Sequence, residues 1–330
     1  MILHPAIIAL LVSSGLMSFL VLYASWYALK IVRKWDIKSG SSDQLELERR
    51  TYLISTILGY VFGFQLFSLF LYVYTADSLC TLFTGAMCAA GTLHVNGYGY
   101  PVLLFKLLNF ILAGFWLIVN YADNRGYDYP LIRFKYFFLL VLAPLLVVET
   151  ILQTLYFLGL HANIITSCCG TLFSATGTSV SSDLSSFPAP VMKLLFAITM
   201  FAALLAAVFY SWKGKGGFLL AGLSAVALLV ALASVLSFIG PYIYELPTHH
   251  CPFCLLQKEY SYVGYPLYLT LLCGAVSGMG VGLLKPFKSK TSLLSVVPEL
   301  QNKLAVIALV SFGLFILIIL YRIWSSNLVM

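Results

Sequence analysis

The residues best suited to chemistry form one short polar stretch, His249-His250-Cys251-Pro252-Phe253-Cys254, between two long apolar runs. Two cysteines separated by two residues can form a disulfide that exchanges with other thiols. A proline between them favours redox exchange over a static cross-link. The same spacing also occurs in zinc sites, and the flanking histidines suit a metal equally well. The stretch therefore predicts either a redox-active pair or a metal site.

Two further cysteine pairs and one isolated cysteine complete the sulfur chemistry of the chain. Cys80 and Cys88 form the first pair, and Cys168 and Cys169 are adjacent. Neighbouring cysteines rarely bridge each other because the small ring strains the peptide bond. We therefore expect Cys168 and Cys169 to pair with other cysteines or to bind a soft metal. Cys273 lies within an apolar run and is predicted to be a small buried hydrophobic residue.

The composition indicates the elements that must position these cysteines. The 330 residues are 61% hydrophobic and only 9% charged, with a mean hydropathy of +0.96, which excludes a water-soluble globular protein. A window of about twenty residues per span predicts an all-α, polytopic membrane helix bundle within one transmembrane domain, residues 1–330. The predicted spans are residues 4–32, 51–75, 101–121, 136–160, 190–212, 217–240, 260–284 and 303–324.

The distribution of basic residues predicts the topology. Lysine and arginine concentrate in the first, third, fifth and seventh connections between spans, and the positive-inside rule assigns such connections to the cytoplasm. Both termini and connections 76–100, 161–189 and 241–259 would then face outward from a plasma (inner) membrane. The net charge of +7 is therefore a topology signal, and no nucleic-acid motif is present.

All three cysteine pairs fall in these outer connections. Each pair follows one helix and precedes another that carries a proline near its outer end, where the missing N–H costs little. Short similarities support a repeat: Thr81-Leu82-Phe83 resembles Thr171-Leu172-Phe173, and Gly99-Tyr100-Pro101 resembles Gly264-Tyr265-Pro266. We interpret the chain as three related helical hairpins flanked by a first and a last helix.

Two motifs resemble those of a known class of enzymes. Cys80-x7-Cys88, and Cys251-Pro252-Phe253-Cys254-Leu255, are similar to the loop cysteine pair and the C-P-x-C-L motif of vitamin K epoxide reductases and DsbB-type disulfide-forming proteins. The resemblance implies that Cys251 and Cys254 lie near a quinone and that Cys80 and Cys88 exchange with a periplasmic or extracellular thiol protein. The chain departs from these four- or five-helix bundles in the 162 residues that separate Cys88 from Cys251, and Cys168-Cys169 has no counterpart in them.

Five other polar residues are candidates for quinone chemistry. His249 and His250 could supply or take a proton, because a free imidazole titrates near neutral pH, and Lys258 would favour a thiolate at Cys251. Lys106 and Glu149 lie within predicted spans, where charges are expensive and usually functional. They could form a neutralising ion pair, or Glu149 could belong to a proton path.

Three hypotheses of different classes follow. The first is a membrane thiol-disulfide oxidoreductase that passes electrons between outer-face cysteine pairs and a quinone. The second is a metal-binding or metal-transport protein that holds copper or zinc through Cys251, Cys254, Cys168, Cys169, His249 and His250. The third is a subunit of a membrane electron-transfer complex, with other membrane subunits as partners and structural disulfides. The sequence leaves open whether the chain is an enzyme.

Overall fold

The computed structural model describes residues 3–37, 39–161, 164–166 and 188–328. These residues form helices and turns without β-strands, and eight of the helical segments are long and apolar enough to cross a membrane. The prediction of an all-α polytopic protein with eight spans is therefore confirmed. Cys168 and Cys169, which are predicted to be site residues, lie outside the described residues.

The helices are numbered in chain order. They are α1 (Pro5–Lys34), α2 (Ser42–Ser78), α3 (Ala89–Leu93), α4 (Gly99–Arg125), α5 (Ile132–Leu158), α6 (Ala189–Lys213), α7 (Gly217–Ser234), α8 (Gly240–Tyr244), α9 (Gly264–Leu284) and α10 (Val296–Ser325). A π-helical turn, Val235–Ile239, joins α7 to α8 within one span. Short 3₁₀ turns begin at Cys80, Cys254 and Lys258.

Two helices extend well beyond the apolar spans predicted for them. Helix α2 begins at Ser42. An ion pair stabilises its polar first turns, with the Arg50 guanidinium 2.5 Å from the Glu46 carboxylate. Helix α10 begins at Val296, and Lys303 pairs with Glu299 at 2.6 Å. Such pairs one turn apart stabilise helix that lies outside the apolar segment. Hydropathy alone locates only the part of a helix that lies in lipid.

The chain divides into two compact units. The first unit comprises Met1–Thr75, Asn96–His161 and Phe287–Pro298. Helix α5 packs against both α1 and α4 in this unit. The hydrophobic core of this unit contains large aromatic side chains such as Phe62, Trp116 and Tyr136.

The second unit comprises Ala76–Val95, Ala162–Pro286 and Glu299–Met330, so it contains the Cys80–Cys88 loop and the Cys251–Cys254 loop. Helix α7 packs against α6 and α9. Three glycines one turn apart on α9 allow close approach of its neighbours: an added Cβ would lie 2.8 Å from Phe312 at Gly274, 2.0 Å from Ser224 at Gly278 and 2.5 Å from Ala221 at Gly282. Small residues at this spacing are a common basis of helix packing in membranes.

Candidate functional site

Three cysteines from two distant parts of the sequence meet in the second unit. The Sγ atoms of Cys88, Cys251 and Cys254 all lie within 4.8 Å of one another, and those of Cys88 and Cys251 are 3.6 Å apart. This distance is van der Waals contact and exceeds the roughly 2.05 Å of a disulfide bond. The side chains are almost completely buried, with exposed fractions of 0%, 1% and 5%. We call these three residues the cysteine cluster.

Hydrogen bonds from Asp77 and Gln257 fix the Cys88 loop beside the Cys251–Cys254 loop. The Asp77 carboxylate, near the end of α2, accepts a hydrogen bond from the Ala89 N–H at 3.0 Å and so holds the residue after Cys88. The Gln257 amide donates to the same carboxylate oxygen at 3.3 Å and to the Met87 carbonyl at 2.8 Å. Residues on both sides of Cys88 are therefore tied to neighbouring elements.

Two tyrosines orient the Cys251–Cys254 loop from the helices that flank it. The Tyr244 hydroxyl at the end of α8 donates to the Cys251 carbonyl, and the Tyr268 hydroxyl on α9 donates to the Pro252 carbonyl at 2.6 Å. Gly264 at the start of α9 leaves space for Leu255 and Leu256, because a Cβ there would lie 2.8 Å from the Leu256 side chain. Hydrogen bonds thus hold the start of the loop at Cys251 and Pro252, and Leu255 and Leu256 pack against Gly264 at its end.

The structure separates the roles of the two adjacent histidines. The Nε2 atom of His249 lies 3.3 Å from the Cys254 Sγ atom, and its ring packs edge-on against Tyr244 at a centroid distance of 4.7 Å. His250 directs Nδ1 to the Leu236 carbonyl at 2.8 Å, which gives that nitrogen the proton. His249 is therefore positioned for proton exchange with a sulfur, whereas His250 connects the loop to the π-helical turn.

Tyr260 packs against Tyr244 beside the cysteine cluster. Its ring contacts Tyr244 at a centroid distance of 4.7 Å. Burial raises the pKa of the Tyr260 phenol, and the neighbouring Cys254 and Glu259 raise it further. The phenol is therefore neutral at physiological pH.

The other predicted site residues lie in different surroundings. Cys80 begins a 3₁₀ turn, is half-buried and does not belong to the cysteine cluster. Lys258 is exposed to solvent. Cys273 is half-buried in α9, so it is less buried than predicted.

Lys106 and Glu149 belong to the first unit and form the ion pair that the sequence suggested. The Lys106 Nζ atom lies 2.8 Å from Glu149 Oε1 and also donates to Ser68 at 2.6 Å. Gln65 and Asn109 donate to the other carboxylate oxygen at 2.7 and 2.6 Å. Both charged side chains are essentially inaccessible to solvent. Their assignment to quinone chemistry remains a prediction.

An apolar cleft of about 710 Å³ lies in the second unit between α6, α10 and the segment from the π-helical turn through α8. Its walls include Phe196, Phe201, Phe238 and Ile319. The polar end of the cleft is the Lys193 ammonium, which donates to the Tyr242 hydroxyl at 2.9 Å and lies 4.8 Å from the centre of its ring.

Sequence reasoning missed several residues that position the site. Asp77 offered one signal, since it is an acidic residue close to the end of an apolar span. Gln257 offered none, because its role depends on contacts with Asp77 and Met87 that are distant in sequence. Tyr244 and Tyr268 lie near the ends of apolar runs, where tyrosine is common at membrane interfaces, and this position does not reveal which hydroxyl reaches which carbonyl.

No protein-family model, curated protein or solved structure matches the chain. The resemblance to vitamin K epoxide reductases stays a prediction from the two cysteine motifs.

Proposed function

We propose that the protein is a membrane thiol-disulfide oxidoreductase that passes electrons from an external dithiol through its cysteine pairs to a quinone. The observation that carries this proposal is the 3.6 Å separation of the Cys88 and Cys251 sulfurs. Thiol-disulfide exchange requires one sulfur to attack another directly. Cys88 and Cys251 are far apart in the sequence, and their contact brings the loop pair and the C-x-x-C pair within reach of each other.

The exchange can be written with its electrons balanced. A partner dithiol reduces a Cys80–Cys88 disulfide and leaves as a disulfide. The Cys88 thiolate then attacks Cys251 of a Cys251–Cys254 disulfide, forming a Cys88–Cys251 bond and releasing the Cys254 thiolate. Cys80 attacks Cys88, restores the Cys80–Cys88 disulfide and leaves Cys251 and Cys254 reduced. Two electrons and two protons have then moved from the partner to the C-x-x-C pair.

The positions of Cys80 and His249 support this order of events. Cys80 is more exposed than the cysteine cluster, as expected of the residue that meets a partner protein. His249 lies beside Cys254, whose sulfur is the leaving group when Cys88 attacks Cys251. An imidazole at this position can protonate the departing thiolate and later remove the proton again.

The apolar cleft fits the body and tail of a lipid-soluble quinone. Lys193 and Tyr242 supply donors suited to a quinone carbonyl, and aromatic and aliphatic walls suit a flat ring and an isoprenoid chain. Residues 235–244 connect this cleft to the cysteines: Phe238 and Tyr242 line the cleft, whereas Leu236 and Tyr244 bond to His250 and Cys251. A bound quinone would supply the acceptor of two electrons and two protons.

Activity measurements test the proposal directly. We expect the Cys251→Ser variant to lose quinone reduction by a dithiol, because the C-x-x-C pair can no longer cycle between disulfide and dithiol. The Cys273→Ser variant is the matched control, since Cys273 is not part of the cluster, and should retain the wild-type rate. Unchanged quinone reduction in Cys251→Ser would show that the proposal is wrong.

A trapping experiment tests the sulfur contact itself. In the Cys80→Ser/Cys254→Ser double variant, Cys88 and Cys251 keep each other as partners while the resolving thiols Cys80 and Cys254 are gone. Mild oxidation should therefore accumulate a Cys88–Cys251 disulfide, detected as a linked peptide pair by mass spectrometry. The Cys88→Ser/Cys254→Ser variant should give no such pair. If the wild-type cysteines stay permanently bridged under reductant and substrate, the disulfides are structural, as in the electron-transfer subunit hypothesis.

A further inference from the structure

We propose that the reduced cysteine cluster is also a zinc site, with Cys88, Cys251, Cys254 and His249 as its four ligands. Four-coordinate zinc with Zn–S bonds of roughly 2.3 Å places its sulfur ligands about 3.8 Å apart. The Cys88 and Cys251 sulfurs are 3.6 Å apart, and all three sulfurs lie within 4.8 Å. A tetrahedral ion therefore fits between them with only small side-chain movements.

His249 supplies the fourth ligand after a movement of its side chain, because its ring nitrogens lie outside the group of atoms that are all within 4.8 Å of one another. Its Nε2 atom lies 3.3 Å from the Cys254 sulfur, a separation close to that of adjacent ligands in a tetrahedral site built from Zn–N bonds of about 2.0 Å and Zn–S bonds of about 2.3 Å. Three thiolates and one imidazole are a common ligand set of structural zinc. Outer hydrogen bonds to the loop from Tyr244 and Tyr268 would hold the ligands in orientation.

Charge and burial favour a divalent ion. Three buried thiolates without a counter-ion would be very unfavourable, because each charge is removed from water. A divalent ion leaves one net negative charge in the site, whereas monovalent copper leaves two. The cluster contains no carboxylate ligand, so hard ions such as magnesium and calcium are disfavoured.

The proposed ligand set differs from the one expected from sequence. Cys88 is an added ligand and His249 is kept, whereas His250 bonds to a backbone carbonyl instead, and Cys168 and Cys169 lie outside the described residues. The zinc site does not depend on the exchange reaction, but it shares three sulfurs with it. Oxidation of Cys251 and Cys254 to a disulfide by the quinone removes two ligands, so only the reduced protein can bind the ion.

Metal analysis of the full chain in detergent tests the inference. We expect the reduced protein, equilibrated with Zn²⁺ without oxygen, to retain one ion per chain. After oxidation to the disulfide form, the same preparation should retain none. The oxidised protein is an internal control because its sequence and purification are identical. Cobalt in place of zinc should give the strong visible absorption and thiolate charge-transfer bands of a tetrahedral site.

Single variants identify the ligands. Cys88→Ser and His249→Gln should each weaken Zn²⁺ binding by at least roughly 100-fold, since loss of even an outer-shell partner costs 10–100-fold. His250→Gln and Cys273→Ser should bind as tightly as wild type. Unchanged zinc affinity in Cys88→Ser, or zinc retained by the oxidised protein, would overturn the inference.

The two proposals can fail separately. A reduced protein that binds no zinc but still transfers electrons from a dithiol to a quinone disproves the metal site and leaves the proposed oxidoreductase intact. A protein that binds one zinc through Cys88 and His249 but shows no thiol exchange disproves the oxidoreductase and leaves the metal site.

Discussion

His249 and His250 are adjacent in sequence, yet their rings contact different groups. Because His249 lies 3.3 Å from the Cys254 sulfur, we expect His249→Gln to slow thiol exchange by about 100-fold, the usual lower range for loss of a general acid-base group. The measurement is the rate of Cys251–Cys254 reduction by a dithiol, compared between the variant and the wild type at the same pH.

His250→Gln is the matched control for this prediction. His250 bonds to the Leu236 carbonyl through Nδ1, and a glutamine amide can also donate to that oxygen. The rate of thiol exchange in His250→Gln should therefore resemble that of the wild type. Equal losses in the two variants would contradict a specific role for His249.

The buried ion pair of Lys106 and Glu149 should contribute to the free energy of unfolding. Removing one partner leaves an unpaired buried charge, which typically costs about 3–5 kcal/mol. Lys106→Met and Glu149→Gln should each lower the free energy of unfolding by about this amount, measured by denaturation in detergent. The double variant should be more stable than the sum of the single losses indicates. Additive losses would show that the two charges do not stabilise each other.

At the scale of residues, the positions of cysteines and charged residues in the sequence identify several side chains that meet in the structure. The C-x-x-C pair, Cys88 and the Lys106–Glu149 pair could all be selected from the sequence, because cysteine pairs in the connections between spans and charges in apolar spans are rare. Asp77 and Tyr244 could not be assigned in this way. Their importance comes from hydrogen bonds to backbone groups, and no residue type identifies a backbone partner.

At the scale of elements, the glycines of α9 determine how closely α7 can approach. A Cβ at Gly278 would lie 2.0 Å from the Ser224 hydroxyl, so we expect Gly278→Val to separate the two helices and lower the unfolding temperature by several degrees. Such overpacking typically costs about 1–3 kcal/mol. The measurement is thermal unfolding in detergent.

Gly222→Ala supplies the control for this packing prediction. No atom lies within 4 Å of a Cβ built at Gly222 on α7, and alanine is the better helix former by up to about 1 kcal/mol. This variant should be as stable as wild type or slightly more stable. A similar loss in both variants would argue against the close contact at Gly278.

The existence of each spanning helix could be predicted because about twenty apolar residues have few alternatives to a membrane helix. Helix ends could not be predicted equally well, as α2 and α10 show. The π-helical turn at Val235–Ile239 also could not be predicted from the hydropathy profile. It depends on local backbone bonding within a run that is apolar throughout.

At the scale of the whole molecule, the contact between Cys88 and Cys251 requires their two loops to lie on the same side of the bilayer. The charge distribution predicts that this is the outer side. In a cysteine-free variant, Leu246→Cys, which is 52% exposed in wild type, should therefore react with a membrane-impermeant maleimide in intact cells. Ser289→Cys, in an exposed lysine-rich connection, should react only after the membrane is opened. The reverse labelling pattern would show that the protein has the opposite orientation in the membrane.

The burial of the three clustered sulfurs also determines which outside reagents can interfere with them. A thiol must approach a disulfide sulfur directly in order to react with it, and side chains that are 0–5% exposed offer a tripeptide such as glutathione no line of approach. The three clustered sulfurs would thus be insulated from the surrounding redox buffer. Reducing equivalents held on Cys251 and Cys254 would not pass directly to that buffer or to unrelated disulfides outside the membrane.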